Sequence, residues 1–143
     1  MTGGYVRGYS LIELLIALAI TAGLGALSMP LFKQQTESLL LQQASSRWLS
    51  YLHQIKAKAQ RAESGITAEL VPLEGRSKVF ELATESTYSS TRPLIFYDDS
   101  GGASPGHIRI MNNSNTVKVI ISSKGRIRSC VSHGASLPSL SLC

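Results

Sequence analysis

The stretch Gly8-Tyr9-Ser10-Leu11-Ile12-Glu13-Leu14-Leu15-Ile16-Ala17-Leu18-Ala19-Ile20 places one carboxylate at the start of an apolar run. From Leu14 to Phe32 the chain has 19 uncharged residues, mostly Leu, Ile and Ala. At a rise of about 1.5 Å per residue, a helix of this length nearly crosses the apolar core of a bilayer. No side chain within the run can pair with Glu13. A lone carboxylate in lipid is costly, so Glu13 requires a specific partner.

Two ordinary kinds of apolar N-terminal segment compete at this point. One is a secretory signal peptide, with Arg7 as its basic region and Ala26-Leu27-Ser28 as its cleavage site. The other is a plain single-span anchor. Neither accounts for a carboxylate at Glu13.

Beyond Pro30 the helical pattern becomes one-sided. Apolar residues recur at steps of three or four, which is the period of a helix with one buried face: Leu41, Ala44, Trp48, Leu52, Ile55, Ala59 and Ala62. The sequence therefore predicts one nearly continuous helix from about Tyr9 to Ala62.

After this helix the apolar pattern shifts toward a period of two, which indicates short strands. The predicted strands are Ile66–Val71, Val79–Ala83, Leu94–Tyr97, His107–Met111, Val117–Ser122 and Arg126–Cys130. Residues 112–115, Asn-Asn-Ser-Asn, form a turn, so the last three strands are expected to be sequential antiparallel neighbours. The predicted fold class is α+β, with a long helix packed on a small antiparallel sheet.

The quoted stretch resembles the class III signal of type IV prepilins and pseudopilins, although that family commonly has Phe where this chain has Tyr9. The resemblance implies a leader of residues 1–8 that a prepilin peptidase removes after Gly8, and methylation of the new N-terminal amine on Tyr9. It implies that Glu13 meets the amine of a neighbouring subunit during filament assembly. Residues 9–32 would then be a transmembrane and filament-core helix, and residues 33–143 a periplasmic or extracellular head.

The net charge of +5 is confined to the C-terminal third of the chain. Residues 31–99 contain eight basic and eight acidic side chains, whereas the last 44 residues contain five basic side chains and no acid. This asymmetry indicates an anionic partner such as nucleic acid, or else a basic face that serves solubility.

Two arginines alternate with an apolar residue in Gly125-Arg126-Ile127-Arg128. On a strand, both guanidinium groups would project from one face while Ile127 faces the core. Guanidinium groups match the geometry of phosphate oxygens, and Lys118, Lys124 and Arg109 could extend such a patch. The alternative is a solvated edge strand whose cations prevent aggregation.

The strand order together with this Gly-Arg-x-Arg sequence resembles the GspH/FimT group of minor pilins and minor pseudopilins. In FimT-like minor pilins the motif is associated with binding DNA during uptake by naturally competent bacteria. The resemblance implies a minor pilin that is inserted in the inner membrane before assembly, joins other major and minor pilins at the cell surface, and binds extracellular DNA without sequence preference. The alternative is a structural minor pilin, or a minor pseudopilin of type II secretion, that primes filament assembly without binding DNA.

The remaining reactive side chains indicate no catalysis and no cofactor. His53, His107 and His133 lack metal-ligand spacing, and the sequence has no nucleophile elbow and no phosphate-binding glycine loop. Cys130 and Cys143 are the two cysteines of the chain. An exported head meets an oxidising compartment, where they can form a disulfide; two free thiols are the alternative.

Overall fold

A computed structural model describes residues 9–62, 64–70, 82–98 and 100–143. The chain divides into two compact units, Met1–Thr36 and Glu37–Cys143. A single helix, α1, spans Leu11–Arg61 and contributes residues to both units. The long helix expected from about Tyr9 to Ala62 is therefore confirmed within two residues at its start and one at its end.

The first turn of α1 provides Glu13 with a hydrogen-bond partner that the sequence analysis missed. The backbone N–H of Ser10 donates to the Glu13 carboxylate at 3.1 Å, and the N–H of Leu14 donates to the carbonyl of Ser10 at 3.2 Å. A carboxylate three residues after a helix-capping serine satisfies a backbone donor that the helix itself leaves unpaired. Glu13 thus stabilises the helix start within its own chain.

The rest of the N-terminal unit exposes apolar side chains on every side of the helix. Leu15, Ile16, Leu18 and Phe32 are all more than half exposed. By length and composition α1 qualifies as a membrane-crossing helix. A helix that is apolar all round requires lipid or protein around it.

In the C-terminal unit, α1 buries one face. Leu41, Trp48 and Leu52 are at most 1% exposed and form one core with residues of the strands. Fully burying a side chain of this size contributes about 1.5–3 kcal/mol, so this stripe holds the helix to the head. The observed architecture is the expected α+β, pilin-like one, with a long helix packed on small antiparallel sheets.

The strands of the described residues form two antiparallel sheets rather than the single one expected. Strands β1 and β3 pair with each other, and the second sheet has the order β2-β4-β5-β6. The bounds are β1 Ile66–Ala68, β2 Ala83–Ser86, β3 Leu94–Phe96, β4 Gly106–Met111, β5 Thr116–Ile121 and β6 Ile127–His133. The last three strands are sequential neighbours, as predicted, and the Asn112 N–H closes their first turn by donating to the Asn115 carbonyl at 3.0 Å.

Three predicted strands differ clearly from the observed ones. The first was expected at Ile66–Val71, but the observed strand ends at Ala68, and Val71 lies outside the described residues. Most of the predicted strand Val79–Ala83 lies outside the described residues, and the observed strand continues from Ala83 to Ser86. Because Thr84, Glu85 and Ser86 are polar, this segment lacks the alternation of apolar residues that predicts a strand. It is a strand because it pairs with β4. The last strand was expected at Arg126–Cys130 but runs on to His133, because β5 continues to pair with it.

Candidate nucleic-acid interface

The four-stranded sheet has one buried face and one accessible face. Along β5, Val117, Val119 and Ile121 are buried in the core, whereas Lys118 and Ile120 alternate with them and are partly exposed. Residues directly opposite each other on neighbouring strands share a face. We call the side of the sheet that carries Lys118 and Ile120 the outer face.

One row across the outer face joins Glu85, Arg109, Lys118 and Cys130, each opposite the next. The Arg109 guanidinium forms an ion pair with the Glu85 carboxylate, the one ion pair found among the described residues. The sheet thus brings an acid from outside the acid-free C-terminal third onto the predicted patch. Arg109 lies on the same face as Lys118, as expected, but the Glu85 carboxylate partly compensates its charge.

Arg126 and Arg128 lie on either side of an inward-facing isoleucine. Ile127 is buried, while both arginines are exposed. Arg126 precedes the first residue of β6, yet it continues the ladder: the Ser122 N–H donates to its carbonyl at 3.0 Å, and its own N–H donates to the Ser122 hydroxyl at 3.1 Å. This placement matches the alternation expected for Gly-Arg-x-Arg, while DNA contact by these residues stays a prediction.

The turn at residues 122–125 carries Lys124 and presents both arginines. Gly125 has a φ of +68°, and a Cβ at this position would lie 2.0 Å from the carbonyl oxygen of Gly101. The neighbouring loop is also bonded to the turn, since the Ala103 N–H donates to the Ser123 carbonyl at 3.1 Å. Gly125 is therefore required because no side chain fits between the two backbones. Lys124 is exposed on this turn.

A lysine from the helix also reaches this turn. The Lys56 ammonium donates to the carbonyl of Gly125 at 2.9 Å. It adds a cationic side chain to the turn that carries Lys124. Lys56 could not be predicted from the sequence, because a contact between residues 69 positions apart leaves no local pattern.

His107 also belongs to the outer face, where it lies opposite Ile120, and Ile120 lies opposite Arg128. Partial burial, followed by the charges of Lys118 and Arg109, lowers the pKa of His107 below its ordinary value. No role could be assigned to this histidine from the sequence. A titratable group held neutral among cations is a candidate functional residue.

The cysteines form the expected disulfide between Cys130 and Cys143. The C-terminal segment follows the free edge of β6: the Val131 N–H donates to the Ser141 carbonyl at 2.8 Å, and the Cys143 N–H donates to the Val131 carbonyl at 2.9 Å. The disulfide thus holds the C-terminal tail beside the arginine-bearing strand β6. The tail covers part of the edge of β6, which would otherwise be open to pairing with another strand.

The N-terminal site residues are separate from this surface in sequence. Gly8 lies outside the described residues, Tyr9 is exposed, and Glu13 accepts the hydrogen bond from Ser10.

A family model described as the prokaryotic N-terminal methylation motif matches residues 4–27. Comparison with curated proteins and with solved structures returned no significant match. The matched segment contains the expected cleavage position, the residue expected to be methylated and most of the apolar segment 9–32. The match supports a type IV pilin or pseudopilin, a class of generally structural proteins that are processed by a prepilin peptidase and assemble with other pilins.

Proposed function

We propose that this chain is a minor pilin of the GspH/FimT type whose head binds extracellular DNA for uptake in natural transformation. The observation that carries the proposal is the exposed group Lys124, Arg126 and Arg128, none of which forms an ion pair with another described residue. Lys56 donates to the Gly125 carbonyl in the same turn, and Lys118 lies one row from Arg128 on the outer face. Arg109 contributes less because Glu85 compensates its charge.

The chemistry of this group favours phosphates over bases. Arginine carries a permanent planar charge that pairs with phosphate oxygens, and each neutralised phosphate releases condensed counterions. An outer face of short strands offers no helix for the major groove. We therefore expect affinity that depends strongly on salt and weakly on base sequence.

The N-terminal segment supports the cellular context of this proposal. Residues 1–8 are the leader that the peptidase removes after Gly8, and Tyr9 becomes the methylated N-terminus. The apolar helix of residues 9–32 anchors the protein in the inner membrane before assembly and enters the filament core afterwards. The head, residues 33–143, is then periplasmic and later exposed at the cell surface.

A structural role is the second candidate, as a minor pilin or a type II secretion minor pseudopilin that primes filament assembly. The Arg109–Glu85 pair favours it, because this pair reduces the positive field of the outer face. Cations beside an edge strand also prevent unwanted pairing.

The salt dependence of duplex binding separates these two candidates. In the full-length chain in a neutral detergent, the double substitution Arg126→Gln with Arg128→Gln is expected to remove two phosphate contacts. The slope of log affinity against log salt then flattens by about 1.8, because each contact contributes about 0.9. Fluorescence anisotropy of a labelled duplex over about 50–200 mM salt measures this slope.

The matched control is Arg47→Gln with Lys58→Gln, which removes the same two charges from exposed positions on α1. Three helical turns separate these two side chains, so they lie on one side of the helix. We expect their loss to leave the slope nearly unchanged. Equal slopes for the wild type and the arginine variant, with equal melting curves, would leave the structural role as the better account.

A further inference from the structure

Tyr97 is the exposed aromatic side chain of the described part of the head. Its side chain is 46% exposed, whereas Trp48, Tyr88 and Phe96 are buried in the core. Tyr97 directly follows β3, whose last residue Phe96 points inward. A half-exposed ring at this position adds little to the core and is available to a ligand.

The ring of Tyr97 lies beside the cationic turn. Its backbone N–H donates to the Gly102 carbonyl at 2.9 Å. A Cβ on Gly102 would lie 3.6 Å from Cδ2 of the Tyr97 ring and 3.0 Å from the carbonyl oxygen of Ser123. Gly102 therefore lies between the Tyr97 ring and the turn that carries Lys124, and it is close to both.

The ring of Tyr97 lies close to two glycines. A second glycine, Gly65, lies at its other edge, where a Cβ would be 4.0 Å from Cδ1. Asp98 and Asp99 follow Tyr97 in the sequence, while Lys124 lies on the turn beyond Gly102. The charges accordingly favour a phosphate on the Lys124 side of the ring.

We propose that Tyr97 stacks on an unpaired nucleobase while Lys124 and Arg126 hold the adjacent phosphates, so that this surface prefers single strands and frayed ends to intact duplex. The inference rests on the proposed DNA binding and adds specificity for strand state. Aromatic rings beside a cationic track bind single strands with little sequence preference, because every base has a stacking face. In intact duplex the bases are already stacked on each other and are not available to the ring.

The test compares two single strands with the same phosphates. One is an oligothymidylate of about 12 nucleotides, and the other is an abasic strand of equal length. Anisotropy with the full-length chain in a neutral detergent is expected to show at least about fivefold tighter binding of the strand that carries bases. Tyr97→Leu is expected to abolish this difference, because leucine keeps apolar bulk without a ring. Tyr97→Phe is expected to retain it.

The outcomes separate stacking from DNA binding as such. If the wild type binds both strands equally, or if Tyr97→Leu keeps the full difference, stacking by Tyr97 is wrong. If either outcome is found and the Arg126→Gln/Arg128→Gln variant still binds both strands more weakly than the wild type, the DNA-binding proposal is retained and only the stacking proposal is rejected. Binding of neither strand by the wild type, with duplex still bound, would overturn stacking alone. Binding of neither the single strands nor the duplex would overturn both proposals.

Discussion

His107 is a titratable residue of the outer face whose pKa is lowered by its surroundings. Burial and the cations Lys118 and Arg109 lower its pKa, and Arg128 lies beyond Ile120 in the same row. In the unfolded chain the imidazole takes up a proton near pH 6.5, whereas in the folded head it resists protonation until lower pH. The unfolded state then binds more protons, so the stability of the head falls as pH drops through this window.

A bound phosphate reverses the electrostatic environment of His107. A nearby anion favours the imidazolium and raises the pKa of His107, so DNA binding takes up a proton. Affinity is therefore expected to rise as pH falls through the range in which this imidazole titrates. His107→Gln is expected to flatten this rise, while His53→Gln, at an exposed position on α1, leaves it unchanged. Duplex anisotropy at fixed salt across this pH range measures the effect. If the affinity of His107→Gln rises as steeply with falling pH as that of the wild type, other titratable groups cause the pH dependence.

At the scale of elements, the turn between β5 and β6 depends on a glycine. Gly125 combines a φ of +68° with close contact to the Gly101 carbonyl, so Gly125→Ala meets both backbone strain and a steric clash. We expect a loss of about 2 kcal/mol or more in the free energy of unfolding, together with weaker DNA binding as Arg126 shifts. Urea denaturation of the full-length chain in detergent measures the first quantity.

Gly65→Ala is the matched control for that substitution. A Cβ on Gly65 meets ordinary contacts at 3.4 Å, and its φ lies outside the left-handed region. Its unfolding free energy is expected to change by much less than that of Gly125→Ala. Equal losses of unfolding free energy in the two variants would show that the backbone moves to relieve the clash between the new Cβ at residue 125 and the Gly101 carbonyl at little cost.

The elements that could be predicted from the sequence are those whose pattern is local. β4 and β5 alternate Ile or Val with polar residues around an Asn/Ser turn, and both were expected within one residue at each end. β2 is polar and is defined by its pairing with β4, so its position could not be read from its own residues. The contacts of Lys56 with Gly125 and of Glu85 with Arg109 likewise join distant positions, which explains why the candidate site was predicted only in part.

At the scale of the whole molecule, the two units have opposite surfaces. The N-terminal unit exposes apolar side chains, whereas the Glu37–Cys143 unit buries a core of its own and carries the cationic outer face. The first surface requires lipid or other subunits, and the second suits an aqueous anionic ligand. This division could be predicted from composition alone. The apolar character of the first segment and the positive charge of the last are properties of many residues together and do not depend on how single side chains pack.

Processing of the N-terminus is the prediction that concerns the whole chain. Cleavage after Gly8 would free an amine on Tyr9, four residues before Glu13. In the single chain the Glu13 carboxylate accepts a hydrogen bond from the Ser10 N–H, and a carboxylate in an apolar core is stabilised further by a cation. We expect the intact mass of the native protein to correspond to a chain that begins at a methylated Tyr9 and retains the apolar helix. A mature chain that begins near Met29 would instead show an ordinary signal peptide.

Glu13→Gln separates the charge of this residue from its role in the helix start. The amide oxygen of glutamine still accepts a hydrogen bond from the Ser10 N–H, so the first turn of α1 is expected to survive. The variant loses only the negative charge that would meet a neighbouring amine. We therefore expect normal cleavage after Gly8 by intact mass, with the protein retained in the membrane fraction and strongly depleted from sheared filaments. Filament incorporation equal to that of the wild type would show that the carboxylate acts through the helix start alone, since the amide replaces it there.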